Sequence, residues 1–487
     1  MTTPFDQPPA WVADAVFYQI FPDRFASSDR LPKPRNLEPW DEYPTFHGYK
    51  GGDLYGVLEH LDWLTDLGIN AIYFNPIFQS ASNHRYHTHD FFKIDPLLGG
   101  EEAFDELLRA CHSRGIRVVL DGVFNHASRG FFQFNDLLES GSDSPWIDWW
   151  HVDRFPLQAY NHDEPASYGA WWGLHALPKF NTENPEVREY LMQVGEYWIE
   201  KGIDGWRLDV PEEISTEGFW EEFRTRVRAK NPDAYIVSEI WGDASDFTRG
   251  DRFDGTMNYL LTGHIFRYVG GHHVVDEVVE GITYEVRPPQ DAGGYADGVD
   301  HLYSMYGAER MQGHLNLLGS HDTPRVMTVF GNDTKSVILA TLLQFTFPGA
   351  PSVYYGDEIG MEGKRDPDCR RGFPWEHEQS WNQEVLEATK SLIALRKSYP
   401  ALRAGEYRRL WPHPGNYRIG LYVFERKLDG EHIVVAVNSA KKAESAEVPG
   451  IDGTEFQTVW GSGGISDDGE TTGIALKGRS AAVWRVS

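Results

Sequence analysis

Short apolar runs alternate with longer helical patterns along most of this 487-residue chain, and that rhythm restricts its possible folds more than any other feature. The runs at 15–21, 71–75, 117–124, 204–210, 234–241, 255–259, 314–320 and 352–355 are short and apolar-rich, as strands buried on both faces are. Between and after them lie helical patterns at 53–67, 101–114, 185–201, 218–229, 335–347 and 384–397. In the first, Leu54, Val57, Leu58, Leu61 and Leu64 recur at near-helical spacing. Gly115 and Gly202 stand just past two helix ends, and Pro185 lies near the first turn of the helix that Gly202 ends. Crossovers between parallel strands are right-handed, and eight such units close into a parallel (β/α)8 TIM barrel. An open doubly wound sheet is the rival.

Two stretches break the rhythm. The segment from about 126 to 177 is rich in Trp, Asp, Pro and Gly, and a connection that long needs a small fold or a function of its own. After about 399, short alternating runs appear at 417–425, 432–438, 456–460 and 480–486, separated by Gly, Asp and Ser. They fit a small antiparallel β-sandwich.

A formal net charge of −28 argues against nucleic acid and against anionic membrane surfaces, because phosphate repulsion is not offset. A neutral ligand is compatible with any net charge. The two cysteines, Cys111 and Cys369, cannot form a disulfide framework and lack a metal-binding spacing. Residues 1–11 show neither a basic n-region nor an apolar h-region, so no signal peptide is expected, and a cytoplasmic protein with reduced thiols follows. The most apolar stretch, 337–355, is interrupted by Gln344, Pro348 and Gly349 and reads as a buried helix followed by a strand. The 17 tryptophans include the pairs Trp149-Trp150 and Trp171-Trp172 in loops, where they suggest a ligand cleft.

Barrel sites sit at the C-terminal ends of the strands. Here the third strand ends in Asp121-Gly122-Val123-Phe124-Asn125-His126, and the fourth carries Arg207 and Asp209. The fifth ends in Glu239, and the seventh runs into Ser320-His321-Asp322. Four strand ends rich in Asp, Glu, His and Arg are more than loop chemistry requires. Paired carboxylates flanking one bond are what glycosidic cleavage needs.

These same stretches resemble the four conserved regions of the α-amylase superfamily, glycoside hydrolase family 13. Leu177-Pro178-Lys179-Phe180-Asn181 is similar to the further region of its neopullulanase, cyclomaltodextrinase and maltogenic amylase branch, as are Glu239-Ile240-Trp241 and Met257-Asn258-Tyr259. The resemblance implies a barrel over 1–125 and 178–398, an inserted domain B over 126–177 after the third strand, and a C-terminal sandwich over 399–487. It implies Asp209 as nucleophile, Glu239 as acid/base and Asp322 as the group holding sugar hydroxyls in the distorted ring. Arg207 would keep Asp209 ionised, and burial or negative neighbours would keep Glu239 protonated. In a retaining mechanism the two carboxyls lie about 5–5.5 Å apart. His126 and His321 match histidines that bind hydroxyls of the reacting sugar. Tyr86 matches the tyrosine stacked under it, and Asp366 and Arg370 match a pair gripping the non-reducing side. Asp121 and Asn125 would brace the site.

Several positions depart from the family pattern. Val210-Pro211-Glu212-Glu213 lacks the Lys-His pair of the α-amylases proper and keeps only the final Glu of the branch's usual Val-Ala-Asn-Glu. Gly242 stands where the branch often has His, so a more open acceptor side is expected. The branch's N-terminal sandwich is not in the sequence, which favours a monomer, or a dimer not made through such a domain. Related enzymes bind calcium near positions matching Asp29, Gly51 and Asp53, but Pro32 and Lys33 replace later oxygen ligands, and an ammonium repels the ion. No cofactor is therefore required. The expected activity is retaining hydrolysis of α-1,4 bonds in maltooligosaccharides, cyclodextrins, starch or pullulan. A glucanotransferase or isomerase of the superfamily is the nearest alternative, and a non-catalytic glycan-binding or chaperone barrel a more distant one.

Overall fold

The computed structural model describes residues 7–415, 419–449, 451–453 and 455–487. Eight strands form one parallel sheet: β1 Phe17–Ile20, β2 Ala71–Phe74, β3 Arg117–Gly122, β4 Gly205–Leu208, β5 Tyr235–Ser238, β6 Gly255–Thr256, β7 Leu315–Leu317 and β8 Ala350–Tyr354. Their order is β6-β5-β4-β3-β2-β1-β8-β7. The sheet closes just beyond β6, where Met257 pairs in parallel with Leu315 and the Asn258 N–H donates to the Leu315 carbonyl at 2.9 Å. Every strand is buried along most of its length, because side chains fill the barrel and helices cover its outside.

The helices form where apolar periodicity and capping agree. Pro185–Lys201 starts from Asn184, whose side chain accepts from the Glu186 N–H, and ends at Gly202 with φ 112°. The first helical pattern is two helices, Leu54–Glu59 and Leu61–Leu67, broken at His60. The apolar stretch folds as Thr334–Thr346 followed by β8. No helix among the described residues is long and apolar enough to cross a membrane. A 15-residue helix, Ala292–Tyr306, escaped the periodic reading. Its sequence contains Gly293, Gly294 and Gly298, weak helix formers whose presence obscures the pattern. Gly298 is needed there, because a Cβ would lie 2.3 Å from the His264 ring.

The segment after β3 builds a small unit from the helix Phe132–Ser140 and isolated bridges, including Val152 to Tyr168 and Ala170 to Pro178. Two further bridges, His126 to Lys179 and Trp150 to Phe180, tie its two ends together. Trp149 and Trp150 are buried, and Trp150 packs with Phe134 and Phe180 at ring separations of 4.9 and 5.0 Å. That tryptophan pair forms this unit's core and does not line the cleft.

The C-terminal region holds β9 Glu406–Trp411, β10 Leu421–Leu428, β11 Glu431–Asn438, β12 Glu444–Pro449, β13 Phe456–Gly461, β14 Gly464–Asp467, β15 Thr471–Leu476 and β16 Ser480–Val486. They form antiparallel sheets ordered β9-β10-β11-β16-β13 and β12-β15-β14. The expected run at 417–425 begins outside the described residues, which exclude Tyr417 and Arg418. Alternation divides β10 between two cores. Leu421 and Val423 face the sandwich, whereas Tyr422 and Phe424 join the barrel's core. Both faces of the larger sheet are thereby buried.

Candidate active site

Arg207 is the hub of the site. In β4 it pairs in register with Asp121 of β3, so both side chains project toward the same side. Its Nη1 donates to Asp121 Oδ1 at 2.8 Å and to Asp209 Oδ1 at 2.9 Å, and its Nη2 lies 2.8 Å from Glu239 Oε1. One fully buried guanidinium thus holds three carboxyls from three consecutive strands. Backbone bonds fix the two acids just past their strands. The Asp209 N–H donates to the Gly122 carbonyl at 3.0 Å and the Glu239 N–H to the Leu208 carbonyl at 2.9 Å. Val210 follows with φ 36°, unusual for a β-branched residue, and turns the chain away from the site. Its N–H approaches Glu239 Oε2 at 3.4 Å, while the Trp241 indole donates to Glu239 Oε1 at 3.1 Å.

A second chain of bonds orients the opposite wall. Gln19, in β1, donates from Nε2 to Asn75 Oδ1 and contacts His321 Nδ1, each at 3.0 Å. The amide nitrogen makes Nδ1 the acceptor, which leaves the ring proton on Nε2. That atom lies 2.6 Å from the Tyr86 hydroxyl and 3.0 Å from Asp322 Oδ2. The Tyr86 hydroxyl donates to Asp121 Oδ2 at 2.8 Å and accepts from Asn75 Nδ2 at 3.1 Å. Tyr73 also donates to Asp121 Oδ2, at 2.8 Å. Tyr86 is presented by Arg85, a buried residue with φ 60° that donates to Asp95 Oδ2 at 3.0 Å. The Tyr86 and His321 rings lie parallel within 2°, 5.3 Å apart.

Asp322 is half-buried between the Arg370 guanidinium and the His321 ring. Arg370 Nη2 donates to Asp322 Oδ1 at 3.0 Å, and its Nη1 pairs with Asp366 at 2.9 Å. Arg370 Nε donates to the His321 carbonyl at 2.8 Å. Asn125 and His126 lie at the junction of β3 and the inserted unit, with Asn125 Nδ2 3.3 Å from His126 Nδ1.

Electrostatics separates the roles of these groups. Burial, reinforced by the charges of Asp209, Asp322 and Asp121, pushes Glu239 well above the usual carboxylate range against the pull of Arg207. Burial also raises Asp209, to about 7, with Arg207 opposing and Asp121 adding to the rise. His321 and His126 stay neutral because burial disfavours their charged forms, His126 falling to about 3. The pocket can therefore offer an acid pushed toward its protonated form in Glu239, a carboxyl tied to a cation that ionises near neutrality in Asp209, and uncharged imidazoles for hydroxyls.

The structure brings Asp209, Glu239, Asp322, Tyr86, Arg207, His321, Arg370, Asp366 and Asp121 into one bonded network, with His126 and Asn125 at its edge. Tyr73, Gln19, Asn75 and Trp241 also belong to it, although sequence reasoning gave them no role. Tyr73 and Asn75 lie at the end of β2, so the strand-end rule that singled out Asp121 would have found them.

Of the calcium candidates, Gly51 and Asp53 converge on the Lys33 ammonium. Lys33 Nζ donates to the Gly51 carbonyl at 2.9 Å and to Asp53 Oδ2 at 2.7 Å. The Ser28 N–H and hydroxyl donate to the same Asp53 oxygen at 3.1 and 3.0 Å, and Asp29 is exposed. An ammonium and two further donors occupy the oxygens a divalent ion would need, so this donor set does not fit calcium.

Comparison with known proteins agrees with this geometry. The model of the alpha amylase catalytic domain matches residues 19–382. A cyclomaltodextrinase of Geobacillus thermopakistaniensis is 44% identical over 91% of this chain and 71% of its own length. The native form of the Nostoc punctiforme debranching enzyme superposes with a TM-score of 0.91 at 50% identity, covering 98% of this chain and 99% of that one. Cyclic alpha-maltosyl-(1→6)-maltose hydrolase from Arthrobacter globiformis gives a TM-score of 0.86 at 37% identity, over 99% of this chain and all (100%) of that one. A carboxylate site at the mouth of a closed barrel, with a family model spanning most of the sequence, makes this chain a glycoside hydrolase of the α-amylase family.

Proposed function

We propose that the chain hydrolyses α-1,4-glucosidic bonds of maltooligosaccharides, cyclodextrins, starch or pullulan with retention of anomeric configuration. The observation that carries this reading is the sharing of Arg207 by Asp209 and Glu239. One guanidinium keeps the two acids facing a common space, as a double displacement requires. Asp209, ionised, attacks the anomeric carbon while Glu239 gives its proton to the departing glycosidic oxygen. A covalent glycosyl ester forms and the sugar–oxygen bond breaks. Glu239, now a carboxylate, takes a proton from water, which attacks the same carbon and releases Asp209. Asp322, held by Arg370 and His321, accepts hydrogen bonds from ring hydroxyls in the distorted sugar. Capture of the ester by a sugar hydroxyl instead of water gives transglycosylation. The reading uses no metal or organic cofactor and suits the cytoplasm, where the two buried thiols stay reduced.

Cleavage at α-1,6 branch points is a second reading with its own support. A Cβ added at Gly242, next to Trp241, meets nothing within 4 Å, so the chain is open to solvent at this position. Two of the structures that superpose on this one carry "debranching" and "maltosyl-(1→6)-maltose" in their names.

Digestion of maltoheptaose, β-cyclodextrin, pullulan and soluble starch tests both readings. Shorter maltooligosaccharides from the first two are expected, with turnover lost in Asp209→Asn. No product from any of the four, or a near-normal rate in Asp209→Asn, overturns the α-1,4 reading. Pullulan products diagnostic of α-1,6 cleavage decide the second.

A further inference from the structure

His321 is buried and stays neutral, because burial and the charges of Arg370 and Arg207 disfavour its cation. A neutral imidazole carries one proton between two nitrogens, and the nitrogen that holds it decides what the ring can donate to. The groups that decide it here lie behind the ring, on the first two strands. Gln19, in β1, is buried and pairs in register with Tyr73 of β2, so both side chains project toward the same side. Its Nε2 stands between Asn75 Oδ1 and His321 Nδ1, each 3.0 Å away.

Only one arrangement of protons satisfies every short contact in this group. When the Gln19 amide donates to both partners, the Asn75 nitrogen is free to donate to the Tyr86 hydroxyl at 3.1 Å. The His321 proton then sits on Nε2, between the Tyr86 oxygen at 2.6 Å and Asp322 Oδ2 at 3.0 Å. Tyr86 accepts from Asn75 and His321 and gives its own proton to Asp121 Oδ2 at 2.8 Å. Turning both amides over would move the His321 proton to Nδ1. The single Tyr86 proton would then face three acceptors, Asn75 Oδ1, His321 Nε2 and Asp121 Oδ2, and two of those contacts would hold no proton. His321 Nε2 would also set a lone pair against the Asp322 carboxylate. Buried acceptors that face acceptors carry the full cost of their lost hydration.

We propose that Gln19 is a positioning residue that fixes the His321 proton on Nε2 and thereby holds Tyr86 and Asp322 in place around the reacting ring. Gln19 acts through the imidazole and not on the sugar. The effect on turnover rests on the α-glucan reading above, whereas the place of the proton is a property of the free protein. Asp322 grips the sugar in its distorted form, so a misplaced proton weakens the transition state more than the ground state. It lowers kcat and leaves KM nearly unchanged.

Long-range proton–nitrogen NMR on protein carrying isotope-labelled histidine tests it, with His321→Gln identifying the signals of that ring. The wild type is expected to show a pyridine-like Nδ1 and a pyrrole-like Nε2. In Gln19→Glu a carboxylate faces Nδ1 and draws a proton there, so Nδ1 becomes pyrrole-like. Its kcat on maltoheptaose is expected to fall by about 10–100-fold, with KM changed by less than about twofold. Gln19→Met keeps the length of the side chain without its donor and lowers kcat in the same way. A proton on Nδ1 in the wild type overturns the proposal whether or not the variants fold, and so does a wild-type kcat in either folded variant. Both results leave the α-glucan reading standing, because wild-type turnover of maltoheptaose decides that reading and the NMR measurement uses no substrate.

Discussion

Arg207 shows how one residue organises the chemistry. It balances part of the charge of three buried carboxyls, and burial still pushes Glu239 well above the usual carboxylate range. Its place in the network was legible because Arg207 and Asp209 are two residues apart on a strand and so share a side. Gln19 was not legible, because an amide group on a buried strand looks like an ordinary core or edge residue until its partners are known. Glu358 makes a separate residue-scale case. Its Oε1 accepts from the Tyr18 hydroxyl at 2.7 Å, and burial pushes the carboxyl up to about 7 from 4.5. Between those values the folded chain keeps a proton that the unfolded chain has released, so stability is greatest on the acid side and falls as pH rises through the window. Glu358→Gln cannot ionise and escapes that loss. Its stability advantage over the wild type is expected to grow by up to about 3 kcal/mol between pH 4.5 and 8, read from denaturant melts at each pH. A difference that does not change with pH contradicts this.

At the scale of elements, the connections after β1 and β3 do most to shape the site. The strands themselves were readable from their apolar runs, although each ends sooner than the run suggests. The structure stops β4 at Leu208 and β5 at Ser238, so Asp209 and Glu239 stand just beyond the sheet, free to bend toward the pocket. The role of Trp149 and Trp150 was not readable, because a paired tryptophan in an irregular segment fits a core as well as a cleft. Lys33 was visible as a misfit to calcium, but its bonds to Gly51 and Asp53 come only from the fold. It ties the connection after β1 to the start of the Leu54–Glu59 helix. Melting temperature is therefore expected to be the same in calcium and in chelator. Lys33→Met is expected to lose about 2 kcal/mol, the worth of charge-assisted bonds to partly buried oxygens. A wild-type melting point that rises with calcium contradicts the assignment.

Across the whole molecule, the C-terminal sheets are docked on the barrel by buried arginines as well as apolar faces. Arg426, in β10, donates to the carbonyl of Thr346 at 2.7 Å and to that of Gly405 at 2.9 Å, and it is fully buried. Burial lowers its guanidinium to about 10. Arg426→Met leaves those carbonyls without their donor and is expected to cost about 3 kcal/mol in urea unfolding, with kcat kept by the protein that remains folded. An unchanged unfolding midpoint would show that apolar contact alone holds the sheets in place. The double burial of β10 and β11 was hidden in the sequence, since alternation signals a two-faced strand without naming what covers each face.

The account's central claim is that Asp209 and Glu239 act in turn on one anomeric carbon. Proton NMR in the first minutes of maltoheptaose digestion tests it most directly, before mutarotation scrambles the product. The α-anomer is predicted to appear first at the newly formed reducing end; prior appearance of the β-anomer would contradict the double displacement.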